Sequence, residues 1–337
     1  MTRPTFYGNE ITTFSRHGHP DRTYRVYTPS GYNTSSPSKV VLALHGWCGD
    51  GSDWTLDEDV RRAADAFNYV VVAPDGLGDN EGMCNSWSIK GSTDGLGLQV
   101  TANEDTVSSG RAATCDTSQA SPDNCYPSCS AASICQNRCS WTHCQDDDVQ
   151  FVYDILDAHA SGSINSLSDF VCFDPSQVFV MGASNGGMMT WELVQDNRTS
   201  ALFAAAAPMI GLPHCDYNLP GNVPAISLMS KDDQTVSPSN LPYPGNPADV
   251  CITNRDGEGY KYVSSHRITS TFAQAGGCRV QDRAFPSLEW EAGTDQVKCK
   301  TWCPGDSPFS VDCAFTAGHW TPDYVYEAAF RFFERHS

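Results

Sequence analysis

The chain has 337 residues, enough for one large α/β domain or two small ones with a sizeable core. It carries 40 acidic side chains against 21 basic ones, a formal net charge of -19. So acidic a surface repels phosphate backbones and anionic membranes, which argues against nucleic acid or membrane partners. No stretch is long and apolar enough to span a bilayer.

Residues 6–14 and 22–28 alternate apolar and polar side chains and are expected to form two opening strands. Val40-Val41-Leu42-Ala43-Leu44 is a continuous apolar run, the pattern of a strand covered on both faces. It ends in His45-Gly46-Trp47-Cys48-Gly49. An amphipathic helix is expected over 57–67 and another buried strand over 70–74. From residue 76 to 144 the alternation breaks down, and the stretch is rich in Gly, Ser, Asn and Cys. A loop this long inside a compact domain is usually functional, so residues 77–145 are expected to form a Cys-rich insertion that walls or lids a cleft. A decorative insertion is the blander alternative. Zinc is a weaker one, because paired two-residue Cys spacings are missing and the only histidine there is His143.

Asp146-Asp147-Asp148 precedes the apolar positions Val149, Phe151, Val152 and Ile155, so the acids are expected to cap a helix start. Such a helix runs antiparallel to the strands. That puts Cys144 and Cys172 near opposite ends of the sheet, and no bridge is expected between them. A strand over 176–181 follows, then Gly182-Ala183-Ser184-Asn185-Gly186-Gly187, then a helix. Buried strands are expected over 204–209 and 225–229, a helix over 260–275, strands over 297–300 and 311–315, and a terminal helix over 323–335. No repeat or interdomain linker interrupts this order, which implies one doubly wound, mostly parallel α/β sheet in a single domain over 1–337. Asn254-Arg255-Asp256-Gly257-Glu258-Gly259 imitates half a calcium loop, but Ser265 stands where the bidentate glutamate belongs, so a plain turn is expected.

Fifteen cysteines read as a disulfide framework made in an oxidising compartment. The count is odd, so at least one thiol is free or pairs between chains. The sequons Asn33-Thr34-Ser35 and Asn197-Arg198-Thr199 point the same way, towards secretion. The first residues hold no apolar signal-peptide core, so a mature chain with an added start residue is expected.

Strand, glycine-flanked serine and helix make the context of a nucleophile elbow, with Ser184 at its tip. A serine hydroxyl needs a base to take its proton, and the base needs an acid to fix its tautomer. Four histidines follow Ser184. His214 precedes any plausible acid loop, His266 falls in an expected helix and His336 adjoins the chain end. His319, in the loop between the last strand and the last helix, is therefore the base. The acid is expected after the strand at 225–229, where Asp233 has the preferred Asp-x-x-Val spacing and Asp232 is the alternative. The amides of Asn185 and Trp47 are the expected oxyanion donors, with His45 bracing its loop. Trp47, Trp87 and Trp320 fall in loops at the same end and are candidates for the substrate cleft, or equally for core.

These motifs resemble those of the secreted polyhydroxybutyrate-depolymerase and feruloyl-esterase-like branch of the α/β-hydrolases. The resemblance rests on Leu44-His45-Gly46-Trp47-Cys48, Asp147-Asp148-Val149, Gly182-Ala183-Ser184-Asn185-Gly186-Gly187, Asp233-Gln234-Thr235-Val236 and Gly318-His319-Trp320. It implies Ser184 as nucleophile, His319 as base, Asp233 as acid, ester substrates, and neither cofactor nor metal. It is weakest over the Cys-rich stretch, where Cys84-Asn85-Ser86-Trp87 is an altered family element. Because Cys48 and Cys84 both belong near the catalytic end, a bridge between them is expected. The activity so implied is that of a secreted, monomeric serine ester hydrolase, feruloyl esterase-like on plant cell-wall esters. The alternatives are a depolymerase of polyhydroxybutyrate or synthetic polyester, an acetylxylan esterase, or, in a different class, a catalytically inactive binding module.

Overall fold

The computed structural model describes residues 7–15, 19–33, 36–79, 83–100, 107–119, 124–135, 138–160, 173–215, 222–238, 251–253, 256–280, 288–303, 305 and 309–337. Residues 1–6, Thr34 and Ser35 of the first sequon, Cys172, and Asn254 and Arg255 of the calcium-like turn lie outside them.

The opening strands β1 (Tyr7–Phe14) and β2 (Arg22–Tyr27) pair antiparallel at one side of the sheet. The apolar runs follow as β3 (Ser38–Leu44) and β4 (Tyr69–Pro74), with the short helix α1 (Ser52–Thr55) and helix α2 (Glu58–Phe67) between them. Asp57 starts α2 by accepting hydrogen bonds from the Asp59 and Val60 amides. The Cys-rich stretch holds a hairpin of β5 (Leu96–Val100) and β6 (Val107–Ala113) and a single turn of helix, α3 (Pro127–Ala131). Then come α4 (Asp148–Ala160), β7 (Phe173–Ala183), α5 (Asn185–Leu193), β8 (Ala205–Met209) and β9 (Ala225–Ser230). The last part comprises β10 (Cys251–Thr253), β11 (Lys261–Val263), α6 (Ser265–Ala275), β12 (Leu288–Trp290), β13 (Lys298–Thr301), β14 (Ser310–Phe315) and α7 (Asp323–Glu334).

Among the described residues ten strands form one sheet in the order β1-β2-β4-β3-β7-β8-β9-β14-β13-β12. From β4 to β14 all neighbours are parallel, and antiparallel pairs flank them on both sides. Strand periodicity divides the core in two. Val40, Leu42 and Leu44 face the layer that holds Phe151 of α4, Trp191 of α5 and Phe272 of α6. Val41 and Ala43 face the layer of Val60 from α2 and Phe330 and Phe333 from α7. The sheet is therefore buried on both sides, as its unbroken apolar strands require.

Three expectations need correction. The helix expected over 260–275 begins only at Ser265, because Ser264 caps it by accepting from the Arg267 amide, while Lys261–Val263 pairs with β10. The three acids before α4 do not share one role. Asp147 caps by accepting from the Gln150 amide at 3.0 Å, whereas Asp148 is buried against Arg22, His143 and Ser88. Burial alone would raise the Asp148 carboxyl, but Arg22 and His143 outweigh it and hold that group well below the usual carboxylate range. The Cys-rich stretch also contains regular structure that its composition hid.

Within that stretch Cys115 pairs with Cys139, Cys125 with Cys135 and Cys129 with Cys144. The expected Cys48–Cys84 bridge is present and ties the start of the stretch to the loop after β3. Cys278–Cys303 and Cys299–Cys313 staple the far side of the sheet. Among the described residues no helix is long and apolar enough to cross a membrane.

Candidate active site

At the end of β7 the backbone turns sharply at Ser184, where φ is 54° and ψ is -119°. A non-glycine residue with positive φ is strained and persists only where its surroundings over-determine it. The supports here are tight. A Cβ on Gly182 would lie 2.3 Å from the Gly186 carbonyl, and one on Gly186 would lie 2.0 Å from the Leu44 carbonyl. Both glycines are therefore required by close backbone approach. The Ser184 amide donates to the Met209 carbonyl at 3.0 Å, which locks the turn to β8.

The structure brings Ser184, His319 and Asp233 together. His319 Nε2 is 2.8 Å from Ser184 Oγ, and His319 Nδ1 is 2.8 Å from Asp233 Oδ2. Asp233 is fully buried, and its other oxygen accepts from the Thr235 and Val236 amides at 2.9 and 3.0 Å. A carboxylate so held accepts the Nδ1 proton, which leaves the Nε2 lone pair facing the serine.

Asp232, the alternative acid, points elsewhere. It accepts from the Ser230 hydroxyl at 2.6 Å and from the Ala317 and Gly318 amides, each at 3.1 Å. Those bonds, that of Ser230 foremost, hold its carboxyl below the usual range. Asp232 thus ties the loop after β9 to the loop that carries His319. Neither neighbour alone sets the geometry: Asp233 orients the ring and Asp232 anchors its backbone.

On the other side of the serine lies the loop after β3. A Cβ on Gly46 would stand 3.5 Å from Ser184 Cβ, so the backbone leading to Trp47 runs directly beside the elbow. Asn185 opens α5 immediately after Ser184. His45 is buried, and its Nε2 accepts from the Gly76 amide at 2.8 Å while Nδ1 donates to the Gly46 carbonyl at 2.6 Å. Burial pushes its pKa down, so the ring is a neutral brace for the loop.

A cleft of about 720 Å³ opens over Ser184 and His319. Trp47 and Trp320 line it and are 46% and 65% exposed. Trp87 does not belong there. It is wholly buried, its indole donates to the His45 carbonyl at 2.9 Å, and its backbone amide and carbonyl are both bonded by the Asn185 side chain. The ring that loop position alone made a cleft candidate is core, packed 4.9 Å from His45. Its role is to hold the Ser184 and Trp47 segments together.

Sequence reasoning missed the cleft residues Trp141, Tyr260 and Tyr262. Trp141 lies in Cys139-Ser140-Trp141-Thr142-His143-Cys144, where no periodicity marks one side chain as inward. The cysteines that bracket it, Cys139 and Cys144, were its one available signal. Among the described residues no cluster of three or more His, Cys, Asp or Glu side chains is placed to hold a metal ion.

No protein-family model and no curated protein sequence matches the chain. Among solved structures it is similar to an acetyl xylan esterase from Aspergillus awamori, with 13% identity over 97% of this chain and 100% of that one, at a TM-score of 0.56. Less close overlaps are with SOBER1 of Arabidopsis thaliana (13% identity, 88% and 98% of the two chains, TM-score 0.43) and a poly(3-hydroxybutyrate) depolymerase from Bordetella parapertussis (16%, 67% and 67%, TM-score 0.37). From the full-length match to the first of these and the sheet order around the Ser184 turn, the chain has the α/β-hydrolase fold.

Proposed function

We propose that the chain is a secreted serine carboxylic-ester hydrolase that works through an acyl-enzyme. The observation that carries this reading is the unbroken hydrogen-bonded line from Ser184 through His319 to a buried Asp233. In the proposed mechanism His319 Nε2 takes the Ser184 proton as Oγ attacks the ester carbonyl. Asp233 keeps the ring in the Nδ1–H tautomer and offsets the imidazolium charge. The Trp47 and Asn185 amides receive the developing oxyanion. His319 then protonates the leaving alcohol, and a water deprotonated by the same ring releases the acid. No step calls on a cofactor. A binding module without activity would have no use for a strained serine and an aligned imidazole, so catalysis is the better reading.

For the substrate, we favour neutral esters with an aromatic acyl group, of the feruloyl type found in plant cell walls. An acetyl group would fill only a small part of a cleft of about 720 Å³. Its aromatic walls Trp47, Trp141, Tyr260 and Trp320 suit a flat ring. Asp53, Asp57 and Glu258 line it with no Lys or Arg among the described lining residues, which disfavours an acyl group that carries a negative charge. A polyester substrate is the second reading, supported by the two exposed indoles of Trp47 and Trp320, on which a polymer chain could lie. The disulfides agree with an extracellular setting.

Hydrolysis of methyl ferulate, acetylated xylan and a polyester film should be compared on one sample. The favoured reading expects the highest kcat/KM on methyl ferulate. Faster release of acetate from xylan, or of monomers from the film, would overturn it.

A further inference from the structure

His214 precedes the acid loop and is not the base, yet it is joined to the cleft wall through Trp141. It is fully buried, and two other parts of the molecule, the Trp141 segment and β11, meet on its ring. The Trp141 indole N–H points to Nε2 at 2.9 Å, Nδ1 is 2.8 Å from the Lys261 carbonyl, and the Tyr262 ring stacks on it at 4.9 Å with an interplanar angle of 15°. Tyr260 lies further off, at 6.0 Å. An indole N–H only donates and a carbonyl only accepts. Nε2 must therefore carry the lone pair and Nδ1 the proton, so the neutral tautomer is fixed by its partners. Burial agrees, pushing the pKa down to about 4.

The Cys115–Cys139 and Cys129–Cys144 bridges fix the backbone on either side of Trp141, whose own amide donates to the Ser92 carbonyl at 2.8 Å. None of these contacts sets the rotation of the indole. The bond to His214 does, with the Tyr260 ring edge-on to the indole at 6.2 Å, and it presents the ring to the cleft over Ser184. We infer that His214 is a positioning residue that fixes the Trp141 indole as a wall of the substrate cleft, and so governs affinity for the aromatic part of the ester without moving a proton in the reaction. This rests on the ester-hydrolase reading given above.

The test compares wild type, His214→Phe, His214→Gln, Trp141→Phe and the double variant His214→Phe/Trp141→Phe on methyl ferulate. Phenylalanine keeps a flat ring against Tyr262 but offers no acceptor, whereas the glutamine oxygen can still accept from the indole. His214→Phe is expected to raise KM about ten-fold, the size of one buried hydrogen bond, with kcat changed no more than about two-fold. His214→Gln should bring KM back to within about three-fold of wild type. Once Trp141 is phenylalanine, removing His214 should add nothing to KM, because there is no indole left to orient. A fall in kcat with KM unmoved, no rescue by glutamine, or a full His214→Phe effect in the Trp141→Phe background would each overturn the inference. Should His214→Phe fail to fold, Trp141→Phe alone must raise KM to a similar degree, and an unchanged KM there counts against the role. Wild-type protein that hydrolyses no ester would overturn the functional reading and this inference together, whereas active wild type with any of the three contrary results overturns the inference alone.

Discussion

Ser184 and Trp141 face the same cleft but are held there by different means. The serine is placed by main chain: a strand, two glycines without room for a Cβ, the start of α5, and a hydrogen bond from its amide to β8. The tryptophan is placed by cross-links and side chains: two disulfides and one indole-to-imidazole bond to a loop 73 positions away. Backbone placement is a property of the fold and does not change with the ester. Side-chain placement can be altered residue by residue, so the reacting centre and the substrate wall can vary independently.

The sharpest way to probe the backbone-placed half is Asp233→Asn. The asparagine oxygen can still accept from the Thr235 and Val236 amides, so the loop should keep its shape. Its NH2 group would then face His319 and favour the wrong tautomer. We expect kcat to fall by about 10⁴-fold with little change in thermal unfolding. A loss below about ten-fold would move the acid elsewhere.

The wall can be probed through pH. Burial pushes the His214 pKa down to about 4 in the fold, from an ordinary value of 6.5. Between those values the unfolded chain holds more protons, so stability falls as pH drops from 6.5 to about 4, by roughly 3 kcal/mol from this residue. The groups facing it are the Trp141 indole, the Tyr260 and Tyr262 rings and the Lys261 carbonyl, none of which carries a charge in that range. His45, also lowered by burial, acts in the same direction. Urea unfolding at pH 7 and pH 4.5 should show His214→Gln losing less stability on acidification than wild type. An equal loss in both would remove His214 from the acid response.

A smaller effect is expected from Asp232→Ala. It takes the acceptor from the Gly318 amide next to His319 and leaves the Ala317 amide only the Ser230 hydroxyl, but keeps the proton path intact. A drop in kcat of about ten-fold, against 10⁴-fold for Asp233→Asn, would separate anchoring from orientation. If the two losses were alike, the two carboxylates would share one role.

The same contrast explains what could be read from the sequence. The sheet and the Ser184 turn were legible because apolar period and glycine spacing are local signals, and His319 and Asp233 followed from their places in the loops after the strands over 311–315 and 225–229. The β11–α6 boundary was not, because Tyr260, Tyr262 and Val263 have apolar positions compatible with helix while the pairing to β10 is non-local. For Trp87 the sequence leaves cleft and core equally open, because a loop tryptophan does not reveal whether its N–H meets a buried carbonyl, as it does at His45. Tyr126 was missed for the same reason. Its hydroxyl accepts from the Trp47 indole at 2.8 Å and donates to the Cys84 carbonyl at 2.7 Å, a bridge that only the folded chain brings together.

The central claim is that His319 and Asp233 make Ser184 a nucleophile, and covalent labelling tests it most directly. Intact-mass measurement after exposure to a fluorophosphonate should show one adduct per chain, mapped by peptide sequencing to Ser184 and absent from Ser184→Ala, with ester turnover in that variant down by about 10⁶-fold. Wild-type protein that takes up no adduct, or a Ser184→Ala variant that hydrolyses esters at near the wild-type rate, would contradict it.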